Sequence, residues 1–200
     1  MLQIDLSLSH TYEAEEIGDF PGTGRFRDPI IHFPRLQNGR EGVGLWLKVK
    51  AGNGKSWIGV FAFGYSSPLA FSRVVSTPDR DRLCVIAKGA AYVVKSDEPE
   101  LWDEIPVSPV LDVRAVPEKG LIVFSDFIRL AAYRHGAVVW RSPRVCWDEL
   151  KIVRITGEAI EGVGYDPTNS QTRQSPFSVD LETGRSLLPE PSSIDGRPVW

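Results

Sequence analysis

The sequence has few of the side chains that bind metals or form disulfides. It contains 2 cysteines and 3 histidines in 200 residues. Cys84 and Cys146 each lie in an apolar stretch with a strand pattern, a setting that favours buried thiols over a disulfide. His10, His32 and His135 are too far apart in the chain to form a local metal-binding motif. The sequence therefore predicts no resident metal ion and no cofactor.

Long apolar runs and an excess of basic residues are also missing. No segment approaches the ~18 consecutive apolar residues of a membrane-spanning helix. Residues 1–9 alternate apolar and polar side chains like a strand, whereas a signal peptide needs an unbroken apolar stretch. The chain has 23 basic and 26 acidic residues, a net charge of -3, which argues against nucleic-acid binding and against a polybasic membrane anchor. We expect a cytoplasmic protein whose partners are neither nucleic acids nor membranes.

Helix signals are scarce, whereas strand and turn signals fill the chain. The only helix-like stretch, residues 12–16, is too short to be stable alone. Apolar residues make up 42% of the chain, and 18 glycines and 15 prolines are spread along it. This pattern predicts many short strands joined by turns. We predict a single all-β domain over residues 1–200, with a less regular segment at 1–40 and repeat-like β units over 41–200.

Three hairpins are predicted from alternating apolar runs that flank short polar turns. They join residues 45–50 to 56–61, 121–125 to 128–133, and 151–155 to 160–165. The first turn, Ala51–Ser56, imitates the end of a phosphate-binding loop. However, Val49 stands where that loop needs glycine, and a strand rather than a helix follows. The turn is therefore interpreted as a hairpin tip.

A strand unit with an aromatic start returns about every forty residues, which indicates stacked or radially arranged β units. The copies are Ala91–Trp102, Ala132–Trp140 and Pro176–Arg185, and the dipeptide Trp102-Asp103 recurs as Trp147-Asp148. A period of this length is typical of a four-stranded propeller blade. The sequence thus predicts antiparallel repeat units in a small or incomplete propeller-like fold. The alternative is a β-sandwich or a pair of packed sheets.

The residues that carry the repeat resemble the blade motif of quinoprotein-like (PQQ-like) propellers. In that family a strand that reads roughly Tyr-x-Leu-Asp is followed by x-x-Thr-Gly-x-x-x-Trp. Phe177–Gly184 is similar to this motif without its tryptophan, Tyr133–Trp140 resembles a shortened copy, and Tyr92–Trp102 a looser one. The resemblance covers residues 70 to 188 and implies a propeller-like assembly.

The chain also departs from that family. Members that hold the quinone have a much longer ring, a calcium ion and a dedicated ligand set, whereas this chain has room for about five units. The resemblance therefore implies no cofactor. Pairing of Val199 and Trp200 with the strand pattern at residues 2–8 would close a small ring.

A candidate binding surface is concentrated in residues 141–148. Arg141, Arg144, Trp147 and Asp148 bring two cations, an aromatic ring and a carboxylate close together in the chain. Arginine and tryptophan are typical anchors of protein interfaces, so the functional interpretation is a recognition surface. The structural interpretation is an Arg144–Asp148 ion pair with Trp147 filling the core.

A second candidate is the loop at residues 19–28, which is rich in glycine and arginine and includes Arg25. Loops of this kind can reach a partner or a ligand. The simpler interpretation is a long connection between two strands.

Three functions remain open because the chain has no decisive catalytic motif. The first, which we favour, is a non-catalytic interaction protein that docks a protein partner through its loops. The second is a small-molecule or carbohydrate binder with a pocket lined by some of the 6 tryptophans. The third is a glycosidase-like hydrolase that uses two of the clustered carboxylates at 97–100, 103–104 and Glu182. Acidic loop residues are usually solvated, so no catalytic residue is assigned.

Overall fold

The computed structural model describes residues 2–18, 26–34, 43–65 and 68–188. Within these ranges the chain forms β-strands, one short 3-10 turn at Pro117–Lys119 and no α-helix. No helix in these ranges is long and apolar enough to cross a membrane. The all-β class predicted from the sequence is confirmed.

The chain divides into two compact units, Met1–Val110 (unit 1) and Leu111–Trp200 (unit 2). A single domain over residues 1–200 stays a prediction. Arg25 and the closing pair Val199 and Trp200 lie outside the described residues.

Unit 1 is built from two sheets. Its described strands are β1 (Gln3–Asp5), β2 (Tyr12–Glu16), β3 (Ile30–Phe33), β4 (Gly44–Ala51), β5 (Ser56–Ala62), β6 (Arg73–Ser76), β7 (Arg82–Ala87), β8 (Ala90–Lys95) and β9 (Trp102–Glu104). Sheet I has the strand order β2-β4-β5-β3, and sheet II has the order β1-β6-β7-β8-β9. Neighbouring strands are antiparallel except for the parallel pairs β1–β6 and β3–β5.

One apolar core is shared by sheets I and II. Alternate residues of β4 are buried in it, which is the pattern expected of a strand with one face on a core. Phe33 and Phe61 stack in this core with ring centroids 4.7 Å apart. Trp57 of sheet I donates its indole N–H to the Ser96 carbonyl, 2.8 Å away, at the end of β8. The core members of sheet II are Val74, Leu83, Val85, Ala87, Ala90, Tyr92 and Val94.

Unit 2 also contains two sheets. Its described strands are β10 (Asp112–Val116), β11 (Leu121–Ser125), β12 (Leu130–Arg134), β13 (Ala137–Arg141), β14 (Asp148–Ile155), β15 (Ala159–Tyr165) and β16 (Gln174–Asp180). Sheet III has the order β10-β11-β12-β13 and sheet IV the order β14-β15-β16, with all pairs antiparallel. The register of β12 and β13 shifts between Ala132 and Tyr133, and Pro176 lies in the edge strand β16.

Trp140 connects sheet III to the turn after sheet IV. Its indole N–H donates to the Leu181 carbonyl at 2.9 Å, and its ring lies against Gly184, whose φ is 70°. The turn is held from within, because the Asp180 carboxylate accepts hydrogen bonds from the backbone N–H and the hydroxyl of Thr183, both at 2.7 Å. Residues 180–184, which carry the Asp-x-x-Thr-Gly pattern, thus form a tight turn beneath an indole ring.

The sequence period corresponds to successive antiparallel meanders. One begins with β6 at Arg73, the next with β10 at Asp112 and the third with β14 at Asp148. The three predicted hairpins are confirmed as β4–β5, β11–β12 and β14–β15. The Asn-Gly turn between β4 and β5 is a hairpin tip, as the sequence indicates. Each described sheet is open, with two edge strands.

The helix-like stretch Tyr12–Glu16, which is too short to be a stable helix alone, is a strand in the structure. Tyr12 is buried and Ala14 packs against the core, whereas Glu13 points outward. Glu13 pairs with Lys50 of β4, with 3.2 Å between Oε1 and Nζ. The neighbouring strand supplies backbone hydrogen bonds and opposite charge, and this tertiary context outweighs helix propensity in so short a segment.

Two hairpins use two-residue turns with positive φ at both positions. Between β7 and β8 these are Lys88 (43°) and Gly89 (80°), and between β12 and β13 they are His135 (48°) and Gly136 (81°). This is the geometry of a type I′ turn, which matches the twist of the flanking strands and favours asparagine or glycine. His135 therefore lies in a hairpin turn rather than in a strand.

We expect Gly184→Ala to destabilise the protein by about 2 to 4 kcal/mol, because alanine disfavours positive φ and overpacks the site. A Cβ at this position would lie 2.5 Å from a carbon of the Trp140 ring. The measurement is urea unfolding followed by tryptophan fluorescence. Gly157→Ala is the matched control, since a Cβ there meets nothing within 4 Å. Equal losses in the two variants would contradict the role assigned to the turn.

We also expect the free energy of unfolding to fall as the pH rises from 9 to 10. Burial raises the pKa of the Cys146 thiol from 9.0 to about 12, and it raises the pKa of Cys84 further. Both thiols stay protonated in the native state while the unfolded state releases their protons, so stability is lost at up to about 1.4 kcal/mol per pH unit for each thiol.

The measurement for the alkaline effect is urea unfolding at several pH values. The double variant Cys84→Ala, Cys146→Ala should start less stable but show a flatter dependence on pH. If the free energy of unfolding of the double variant falls with pH as steeply as that of the wild type, other groups cause the loss of stability at high pH.

Candidate functional site

Four of the five predicted binding residues are described, and they lie in the connection from sheet III to sheet IV. Arg141 ends β13 and Asp148 begins β14, and both side chains are exposed. Arg144 and Trp147 lie between them and are partly exposed. The fifth residue, Arg25, lies outside the described residues, so its place in a binding surface stays a prediction.

Arg144 fixes the shape of this connection. Its Nε donates to the Cys146 carbonyl and its Nη2 to the Trp147 carbonyl, each at 2.8 Å. Its Cζ lies 4.8 Å from the centroid of the Trp147 ring. A planar guanidinium can stack on an aromatic face and donate in its own plane at the same time. The two hydrogen bonds of Arg144 thus go to backbone carbonyls rather than to the Asp148 carboxylate.

The backbone on both sides of Arg144 is tied to the sheets. Ser142 is buried, its N–H donates to the Leu130 carbonyl, and its hydroxyl oxygen accepts from the Leu130 N–H, both at 2.9 Å. The Trp147 N–H donates to the Tyr165 carbonyl at 3.0 Å. These bonds hold the connection against β12 and β15, so the Arg144–Trp147 stack is fixed before any partner arrives.

Trp147 does not fill the core, because its side chain lies at the surface and is only partly buried. Its indole Nε1 is buried and has no hydrogen-bond partner among the described residues. The Asp148 carboxylate accepts from the N–H of Glu149 at 2.7 Å, next to a register shift in β14. Asp148 therefore makes a local contact at the start of the strand, and its side chain is exposed.

Chemically, this surface is suited to recognition by stacking and ion pairing. Arg141 supplies an exposed positive charge at the end of β13, and the Trp147 side chain is partly exposed. The nearby Cys146 thiol is buried with a pKa of about 12, so it is protonated near pH 7 and is a poor nucleophile. Over the described ranges, no group of three or more His, Cys, Asp or Glu side chains could hold a metal ion.

Of the acidic residues named from the sequence, Asp97, Glu98 and Glu182 lie in ion pairs. Lys95 bonds to Glu98, and its Nζ lies 3.6 Å from Asp97. Glu182 lies 3.0 Å from Arg134 and 3.4 Å from Lys119, and the hydrogen bond from Arg134 lowers the pKa of the Glu182 carboxyl. A glycosidase needs one carboxyl with a raised pKa, so Glu182, whose pKa is lowered, is a poor candidate for its general acid.

Sequence reasoning missed two surface depressions on the β2–β4 side of sheet I. One has a volume of about 310 Å³ and the other about 210 Å³. Their linings share Glu13 and Lys50, and the larger one also includes His10 and Tyr12. Pairing of β2 with β4 creates them, and because the two strands are far apart in the chain, no local sequence signal places these side chains together.

No protein-family model matches the chain, and no curated protein and no solved structure matches it either.

We expect Arg144→Lys to destabilise unit 2 by about 1 to 2 kcal/mol, because lysine cannot make both carbonyl bonds while stacking on Trp147. Urea unfolding of the variant against the wild type measures the loss. Arg141→Lys is the matched control, since its side chain is exposed and the change should be nearly neutral. If Arg144→Lys is as stable as its control, the guanidinium does not fix the connection.

Proposed function

We propose that this chain is a non-catalytic interaction protein that docks a protein partner through Arg141, Arg144, Trp147 and Asp148. The observation that carries the proposal is the Arg144–Trp147 stack, which is partly exposed and fixed by two hydrogen bonds to backbone carbonyls. A surface that is already ordered loses little conformational entropy on binding, which favours affinity.

The chemistry of these residues supports a protein as the partner. Tryptophan and arginine carry much of the binding energy in protein interfaces. The indole N–H of Trp147 has no hydrogen-bond partner among the described residues, so after a small rotation of the ring it could donate to an oxygen of the partner. Arg141 and Asp148 add exposed charges of opposite sign at the two ends of the connection. Such charges set the orientation of a partner more than its affinity.

A propeller-like arrangement of the sheets remains our proposal for the fold. It is supported by meanders that recur at the blade period and by the indole that packs on the Asp180–Gly184 turn. It is also supported by strands β7, β8 and β11, whose residues are buried on both faces for most of their length. The compartment we propose is the cytoplasm, where two buried free thiols such as Cys84 and Cys146 are ordinary.

Small-molecule or carbohydrate binding is the second candidate function. It is favoured by the larger depression beside β2, because its lining includes Tyr12, whose buried hydroxyl has no hydrogen-bond partner among the described residues. No tryptophan of the described residues lines it, contrary to the expected pocket. Ligand-induced thermal stabilisation across a sugar and metabolite library tests this candidate.

The interaction proposal is tested by a tagged pull-down from the native host, read by mass spectrometry. We expect one stoichiometric partner with the wild type, and a loss of about tenfold or more with Arg141→Ala, since this range is typical of an interface anchor. Arg141 is exposed, so the variant should fold normally.

Arg154→Ala is the matched control because it removes an exposed arginine from the same unit. It should capture the partner as the wild type does. Capture that is equal in all three proteins, or no stoichiometric capture at all, would overturn the proposed docking surface.

A further inference from the structure

Strand β9, at the edge of sheet II in unit 1, has one paired and one unpaired side, and it shares no residue with the Arg144–Trp147 surface. Its paired side forms a regular antiparallel ladder with β8. The Lys95 N–H donates to the Leu101 carbonyl at 3.0 Å. The Ile105 N–H donates to the Ala91 carbonyl at 2.9 Å. These two bonds determine which backbone groups of β9 point toward β8.

The backbone groups of Trp102 and Glu104 form the unpaired side of β9. Bonded and non-bonded pairs alternate along an antiparallel ladder, and the two bonds above put the odd-numbered residues in the bonded pairs. The N–H and C=O groups of Trp102 and Glu104 therefore point away from β8, and among the described residues they have no hydrogen-bond partner. Within β9 there is no proline and no register shift that would prevent a further strand from pairing with it.

Trp102 anchors β9 without closing its unpaired side. Its ring meets that of Phe33 edge-on, with 5.5 Å between the centroids, and lies 6.0 Å from the ring of Tyr92. Trp102 is nevertheless only partly buried, and the neighbouring Leu101 is 46% exposed. The edge is therefore held in place by the core of unit 1 and is accessible to a partner strand.

Carboxylates surround this edge. Residues 97–104 read Asp-Glu-Pro-Glu-Leu-Trp-Asp-Glu, without a basic side chain. The first two carboxylates are paired with Lys95. Glu100 and Glu104 are exposed, and within the part of the chain that the structure describes neither forms an ion pair. Two negative charges beside the unpaired backbone groups thus lack a counter-charge.

These charges decide which kind of strand fits the edge. A second copy of the chain that paired through its own β9 would bring carboxylates against carboxylates, and like charges directly opposite each other destabilise a strand pair. Charged residues on edge strands are a common protection against such self-association. A segment that carries lysine or arginine meets opposite charge at the same positions, so the edge that repels its own copy attracts a basic partner.

We propose that β9 binds a basic, extended segment of another protein, which adds to sheet II as an antiparallel strand. Alternate side chains of a strand lie on opposite faces, so Glu104 and the exposed Leu101 lie on different faces of the sheet. Asp103 shares the face of Leu101 but is partly buried. A segment of alternating basic and apolar residues places its basic residues beside Glu104 and its apolar residues beside Leu101. Strand addition supplies backbone hydrogen bonds for affinity and side-chain contacts for specificity.

The test uses the full chain and fluorescence anisotropy with a labelled peptide of alternating lysine and valine residues. We expect the double variant Glu100→Gln, Glu104→Gln to weaken binding about fivefold, which is typical of the loss of exposed ion pairs. Both side chains are exposed, so this variant should unfold in urea as the wild type does. Glu158→Gln is the matched control, since it makes the same change at an exposed glutamate of unit 2 and should leave binding unchanged.

Methylation of the peptide backbone separates strand addition from simple attraction of charge. In an antiparallel pair the lysine opposite Glu104 shares its face, so the lysine N–H groups point toward β9 and the valine N–H groups point away. Methylation of the lysine backbone nitrogens should weaken binding about tenfold or more, because it removes the donors to β9. Methylation of the valine backbone nitrogens should leave binding unchanged.

The proposal is overturned if the double variant binds the peptide as tightly as the wild type, or if a peptide of alternating glutamate and valine binds equally well. It is also overturned if the two methylated peptides bind alike, since charge alone would then hold the peptide. A chain that dimerises in solution and does not bind the basic peptide would overturn it in favour of a second copy at this edge.

Discussion

The packing of two sheets over one apolar core is the constraint on which each unit depends. A sheet with one apolar face cannot be stable alone, and in both units the alternate side chains of one sheet bury those of another. The indole N–H groups of Trp57 and Trp140 each donate to a carbonyl at the end of the sheet packed against their own. These bonds join the sheets at their margins.

Much of the local structure could be predicted from the sequence because it depends on neighbours in the chain. The hairpin at Asn53-Gly54 and the turn at His135-Gly136 were predictable because each contains a glycine, which tolerates the positive φ that a tight turn requires. The strand at Tyr12–Glu16 could not be predicted, because its partner β4 lies more than thirty residues further along the chain. Local propensity carries no information about such a partner.

The candidate surface at residues 141–148 was predictable only in part. The sequence shows that its residues are close in the chain, but it does not show the conformation of the loop. Arg141, Arg144, Trp147 and Asp148 lie within eight successive positions, so their proximity was visible in the sequence. The actual bonds of Arg144 were not, because its partners are backbone carbonyls whose orientation depends on the loop conformation.

Two of the edge strands of unit 2, β13 and β16, bear on how this chain behaves at high concentration. The register shift between Ala132 and Tyr133 bends β13 away from a regular ladder, and Pro176 removes a backbone donor from β16. Both features interrupt the row of amide groups that another copy of the chain would need in order to add a strand. They oppose edge-to-edge aggregation, so a protein rich in β-structure can stay dispersed while its loops remain accessible.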